Sequence, residues 1–259
     1  MNPSRVRLFR IEIDALRMPQ AVERVMGWVH GPDFRSHTYV VTPNADHAVM
    51  LSQNAELRAA YRNAGMVLAD GMPVVLASRL LRRSLPERVT GADLLPALFS
   101  AADDRRPLTV YLLGAGPGVG ERAAENIRRR WPHVRVVGTD SPPFGFDTDD
   151  GENAAILRRI ETARPDVLVV GLGAPKQELW VAAHRDQIAA KVSLCVGATI
   201  DFLAGEVRRA PRWMQRCGLE WSYRLACEPR RLFKRYFRDA RVFPRLVWRE
   251  WRRADAQRV

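Results

Sequence analysis

The chain has 259 residues, 47% hydrophobic and 27% charged, which suits one α/β domain with or without an appendage and argues against disorder. Three cysteines without CxxC spacing (Cys195, Cys217, Cys227) argue against a disulfide framework or a zinc site and suit a reducing cytosol. The net charge of +12 is concentrated at one end: residues 207–259 hold 16 Arg or Lys against 5 acids, and residues 1–206 hold 25 against 24.

The opening segment, MNPSRVRLFRIEIDAL, is broken by charge every few residues, so no signal peptide is expected. No apolar run reaches the roughly 18 residues of a membrane-spanning helix. Short β-branched segments then read as buried parallel strands: His37–Thr42, Leu108–Leu113, Val134–Val137, Val167–Val170 and Val192–Val196. Helical patterns separate them at Ala45–Ala64, Ala92–Ala101, Val119–Trp131, Asn153–Ala163 and Lys176–Ile188. This alternation predicts an α/β fold, a Rossmann-like, mostly parallel sheet with helices on both faces, plus a basic helical C-terminal appendage. The boundary falls at Gly205–Pro211, dividing a catalytic core, residues 1–206, from an appendage, residues 207–259.

Ligands of such sheets sit outside the carboxyl ends of the strands. Thr42-Pro43-Asn44 follows the first strand, where proline ends ladder pairing and presents Thr42 and Asn44; a helix N-cap is the alternative use for Asn44. Asp70 lies between apolar residues and Gly71. It reads either as a turn residue or as a partly desolvated carboxylate able to take a proton from a hydroxyl. Gly114-Ala115-Gly116-Pro117-Gly118 follows a strand and opens a helix, where a phosphate can rest on backbone N–H groups. The dinucleotide fingerprint would need glycine at Val119, although Asp140 falls near its acidic position.

Phe144 and Phe146 occupy a Pro-Pro-Phe-Gly-Phe loop, where an aromatic either stacks on a nucleobase or caps the core. Asp147, Asp149 and Asp150 mimic a metal-binding DxD but read as helix-start acids, and no metal is expected. Gly171–Glu178 delivers two glycines, a proline and then Lys176, Gln177 and Glu178 in one helical turn, a pattern that a simple turn does not require. His184 reads as a surface or core residue. The five histidines are scattered and no nucleophile–base set emerges.

In the tail, Phe233, Tyr236, Phe237, Ala240, Val247, Trp248 and Trp251 share one side of a helix, with arginines on the flanks and opposite side. Such a helix suits a membrane interface, or else packs on the protein's own core or a partner subunit. Pro244 should kink or break it. Arg224 and Arg231, seven apart, would share a face of a continuous helix and with Lys234 could clamp a diphosphate.

In this order, TPNAD (Thr42–Asp46), ADGMPVV (Ala69–Val75), RVTGADL (Arg88–Leu94), VVGLGAPKQELW (Val169–Trp180), VGATIDFLAG (Val196–Gly205), RRAPRWMQRCGLEWSYRLACEPRRL (Arg208–Leu232) and KRYF (Lys234–Phe237) closely resemble the WecG/TagA/CpsF glycosyltransferase family. The resemblance implies an inverting, metal-independent transfer of a hexose or N-acetylhexosamine from a UDP-sugar, with no cofactor. The acceptor would be a polyprenyl-diphosphate-linked sugar at the inner face of an anionic membrane, with a homo-oligomer left open and no nucleic-acid partner. By analogy Asp70 is the general base. Thr42, Asn44, Arg88 and Gln177 would surround the donor sugar or acceptor hydroxyl, and Asp201 and Phe146 would hold the uracil. Arg224, Arg231 and Lys234, with Arg235 as substitute, would reach the diphosphate, with Gly114, Gly116 and Lys176 also on the substrate side. Two other readings are a nucleotide-binding domain with a nucleic-acid-binding tail, and a nucleotide-cofactor oxidoreductase using the glycine loop and Asp140.

Overall fold

The computed structural model describes residues 5–32 and 36–256. The extreme ends of the expected core and appendage, residues 1–4 and 257–259, lie outside the described residues. A hairpin, β1 (Arg5–Leu8) and β2 (Ile11–Asp14), precedes α1 (Met18–His30). Then come β3 (Thr38–Val41), α2 (Ala45–Gln53), α3 (Ala55–Asn63), β4 (Met66–Val67), α4 (Met72–Leu80) and α5 (Gly91–Ser100). The rest of the sheet follows as β5 (Leu108–Gly114), α6 (Val119–Arg130), β6 (Val134–Asp140), α7 (Asp150–Ala163), β7 (Val167–Gly171), α8 (Lys176–Ala183) and β8 (Val192–Cys195). Four helices close the chain: α9 (Thr199–Ala204), α10 (Arg212–Arg216), α11 (Glu220–Cys227) and α12 (Pro229–Ala256).

The fold is α/β, as the alternation predicts. Strands β3 to β8 form one six-stranded parallel sheet in the order β4-β3-β8-β7-β5-β6. Continuous apolar runs make this possible: every residue of β8 and the first four of β7 are buried, as a strand covered on both faces requires. The hairpin and α2, α3, α4, α7 and α8 pack on one face, and α1, α5, α6 and α9 on the other. The chain therefore leaves β7 and β5 toward opposite faces, which makes a crevice at their carboxyl ends. Gly114, at φ +118, permits this join, since a Cβ there would stand 2.5 Å from the Gly171 carbonyl oxygen.

Several elements depart from expectation. The predicted helix Ala45–Ala64 divides at Asn54, which ends α2 and caps α3 by accepting from the Leu57 N–H at 2.9 Å. Arg224 and Arg231 do not share one continuous helix, because Glu228, at φ −132 and ψ 58, leaves the helical conformation and Pro229 starts α12 afresh. Pro244 does not break α12, which runs 28 residues through it. Pro244 and Ala240, whose carbonyl loses its helical partner, are both exposed, so water can satisfy that group.

The aromatic stripe of α12 also splits. Its Val247 packs on the core together with Phe243 and Leu246, which lie outside the expected stripe, and Phe243 meets Phe9 at 5.2 Å between centroids. Phe233, Phe237, Trp248 and Trp251 remain exposed. Arg235 and Arg238 pair with Asp46 at the start of α2, and Arg83, just beyond α4, lies 3.7 Å from Glu250. Helix α12 thus runs from the sheet's carboxyl edge down the flank of α4. Among the described residues no helix is long and apolar enough to cross a membrane. All three cysteines are free, Cys195 buried and Cys217 and Cys227 exposed.

Candidate active site

Two backbone bonds assemble the site at the carboxyl edge. The Asp70 N–H donates to the Pro43 carbonyl at 2.9 Å, and the Val89 N–H to the Ala69 carbonyl at 2.9 Å. They set Asp70 beside Asn44 and bring the segment carrying Arg88 alongside. Asn44 caps α2, its Oδ1 accepting from the His47 N–H at 3.2 Å, so the capping use is real. The buried Thr42 hydroxyl donates to the Cys195 carbonyl at 3.2 Å and ties this turn to the end of β8.

Asp70 is half-buried, and its Oδ2 accepts from the Gly91 N–H at 3.4 Å. Lost hydration is the largest influence and pushes its pKa up to about 7; Glu220 adds to the rise, while Arg88, His47 and the Gly91 N–H oppose it. A carboxyl so placed can accept a proton near neutral pH.

Behind it lies a buried polar chain. The Gln177 Oε1 accepts from the Gly197 N–H at 3.2 Å, and its Nε2 donates to the Glu178 Oε1 at 2.8 Å. That same Glu178 oxygen is 3.4 Å from His47 Nε2, and His47 Nδ1 is 2.8 Å from Asn44 Oδ1. Burial works to lower the His47 pKa, but its hydrogen bond and charge interaction with Glu178 outweigh this and raise it. Both candidate amides, Asn44 and Gln177, are therefore held by one buried pair.

The C-terminal helices reach over this edge. Arg88 Nη1 donates to Glu220 Oε2 at 3.2 Å, and Arg209 joins Asp93 at 2.6 Å and Glu220 at 3.5 Å. Gly218, at φ +74, lies so near α4 that a Cβ would meet the Met72 side chain at 2.7 Å. Arg224 stands 5.9 Å over the Phe202 ring, and its Nε is buried with no hydrogen-bond partner among the described residues. Burial pushes the Asp201 carboxyl above its usual range, against the pull of Arg231 and Arg224. Arg231 pairs with Glu228 at 2.6 Å, Lys234 is exposed, and Arg235 Nε is turned onto Asp46 at 3.7 Å.

Across the crevice, Gly114 and Gly116 form the turn into α6, which Gly118 opens at φ +77. Lys176 Nζ donates to Asp147 Oδ1 at 2.7 Å and lies 5.3 and 5.4 Å from the Phe144 and Phe146 ring centroids. Phe146 is a correction to expectation: it is 3% exposed and packs beside Trp180, so it belongs to the core and cannot stack on a base. Phe144 is the exposed ring of that loop. Asp149 caps α7, and Asp140 is engaged by Arg159 at 2.7 Å and the Tyr111 hydroxyl at 3.2 Å.

Residues 6–257 match the Glycosyl transferase WecG/TagA/CpsF family. The chain belongs to this family. A Staphylococcus aureus protein named N-acetylglucosaminyldiphosphoundecaprenol N-acetyl-beta-D-mannosaminyltransferase is 29% identical over 231 residues, 89% of this chain and 88% of the relative. A Bacillus spizizenii protein of the same name is 31% identical over 199 residues, 77% of this chain and 75% of the relative.

Within this WecG/TagA/CpsF glycosyltransferase, the edge joins Thr42, Asn44, Asp70, Arg88 and Gln177 into one cluster. Asp201, Arg224 and Arg231 form a second, while Lys176, Phe144 and the glycine loop lie beyond β7. The sequence pattern singled out Glu178 with Lys176 and Gln177 but passed over His47, Arg209 and Glu220. One local signal was present: His47 stands three residues after the cap Asn44.

Proposed function

We propose that this glycosyltransferase moves a hexose or N-acetylhexosamine, with inversion, from a UDP-sugar to a polyprenyl-diphosphate-linked sugar. The observation that carries the reading is Asp70, a half-buried carboxyl poised near pH 7 beside Arg88, Asn44 and Gln177. Its carboxylate takes the acceptor hydroxyl proton as that oxygen bonds to the anomeric carbon. The bond to UDP breaks on the opposite face of the sugar. Arg224, Arg231 and Lys234 take up charge on the leaving diphosphate without a metal, and the unsatisfied Arg224 Nε would gain a phosphate oxygen as its partner. Asp201 and the exposed Phe144, in place of Phe146, would hold the uracil.

In this reading residues 1–206 are the catalytic core. Residues 207–259 are an appendage that closes the cleft and rests on the inner face of an anionic membrane. Exposed Phe233, Phe237, Trp248 and Trp251 beside the arginine flank of α12 support that placement. The relatives' name makes N-acetylmannosamine the first donor sugar to try, with an N-acetylglucosaminyl-diphosphate lipid as acceptor. UDP release should require both substrates and be lost in Asp70→Asn. UDP release that is indifferent to Asp70, or absent with every UDP-sugar, would overturn the reading.

A further inference from the structure

Between α4 and α12 lies an open, almost wholly apolar groove of about 570 Å³. Pro73, Leu76 and Leu80 line it from α4, and Val247, Trp248 and Trp251 from α12. Leu76 is 53% exposed, Leu80 63%, Trp248 55% and Trp251 47%, although each is a large apolar side chain. Four such residues converging on one groove mark a binding surface more than scattered exposure does.

Its position names the occupant. The groove starts at Pro73, three residues after Asp70, and follows α4 away from the carboxyl edge. Helix α12 is fixed beside it at both ends, by Arg235 and Arg238 on Asp46 near the site and by Glu250 on Arg83 at the far end. Cations stand at the mouth, where exposed Arg238 and Arg241 precede the lining Phe243 by less than two turns of α12, and hydrocarbon lines the remainder. The exposed Phe233–Phe237 pair, stacked at 6.1 Å, continues the apolar track along α12 at the mouth end. A ligand matching this sequence of surfaces has an anionic head and a hydrocarbon tail.

We propose that the groove holds the first isoprene units of the polyprenyl acceptor, with its diphosphate at the cationic mouth and its sugar at Asp70. The proposal rests on the acceptor class argued above and adds a specific seat for its lipid. That seat would let the enzyme select acceptors by their tail and fix the acceptor's approach before the sugar reaches the base.

The test measures turnover of the full-length protein, without a bilayer, on sugar-diphosphate acceptors with progressively longer isoprenyl chains. Acceptor KM should fall about tenfold or more as the first units are added. In the double variant Leu76→Asn/Leu80→Asn that gain should vanish, while the KM for the UDP-sugar and for the shortest acceptor stay unchanged. Both leucines are exposed, and an unaltered Tm confirms folding. A chain-length effect that is missing in the native protein, or survives in the variant, overturns the proposal. If the variant instead loses binding to phosphatidylglycerol vesicles and keeps the chain-length effect, the groove is a bilayer surface. If it keeps that effect but breaks a dimer seen by sedimentation, the groove is an interface between copies. Should no acceptor turn over, the functional reading fails separately. Calorimetry with geranylgeranyl diphosphate then judges the groove, and native binding lost in the variant supports it while no native binding overturns it.

Discussion

Asp70 meets two opposed demands. A base must be charged to work, yet the partly dry edge that makes its carboxylate reactive also disfavours that charge. With a pKa near 7, kcat/KM should rise with pH through an acid limb centred near 7. Asp70→Asn should lower kcat/KM at least about 100-fold. The same substitution should affect stability in the opposite direction. The folded carboxyl keeps its proton to higher pH than the unfolded one, so the cost of ionising it is absent below about pH 4 and complete above about pH 7. Urea unfolding should find Asp70→Asn more stable than the native chain at pH 8 by roughly 1–3 kcal/mol, and no more stable below pH 4. A second residue-scale prediction concerns Glu178, fully buried against His47. Glu178→Ala should cost about 3–5 kcal/mol by stranding His47, seen as a large fall in the urea midpoint. Asp70 was visible in the sequence as a candidate, but its turn and base readings could not be separated there. The features that separate them, Gly91, Arg88 and Glu220, come from distant segments.

At the scale of elements, the strands buried on both faces were legible because their β-branched runs are continuous. The hairpin was not: its turn places Phe9 at φ +50 and Arg10 at φ +68, without the glycine or asparagine that usually marks such a turn. Strand β4, two residues long, is below what any periodicity can register. Helix α12 was legible as amphipathic, but its three faces (core, aromatic and basic) could not be told from two without its neighbours. This changes what a truncation would report. Deleting the chain from Asp239 removes exposed Trp248 and Trp251, but it also uncovers Phe9 and should lower Tm as well as membrane binding. Asp239 offers a finer probe. Burial and then the nearby Asp46 push its pKa up to about 6, against Arg238 and Arg235. Its folded pKa is raised, so the docking it supports is complete below about pH 4 and weakens as pH rises through 6. Hydrogen exchange along α12 should therefore slow in Asp239→Asn above pH 6 and match the native chain below pH 4.

Across the whole molecule, the charge is as lopsided as composition indicated, and the ordered motifs were enough to recognise the family. The seating of the tail was not legible, because docking on the core and docking on a membrane use the same residue types. Binding to anionic vesicles should fall steeply as salt rises, since the arginine flank of α12 is exposed and screened. Trp248→Ala/Trp251→Ala should weaken that binding while leaving its salt dependence intact, measured by vesicle co-sedimentation. The free cysteines offer a further use. Cys195 is buried, with its thiol pushed well above its ordinary pKa, whereas Cys217 and Cys227 stand exposed near either end of α11. A maleimide dye should thus mark the end of α10 at Cys217 and the end of α11 at Cys227, on either side of Glu220 and Arg224. The unaltered chain is already an optical reporter, able to show by fluorescence whether a nucleotide shifts the helices above the cleft.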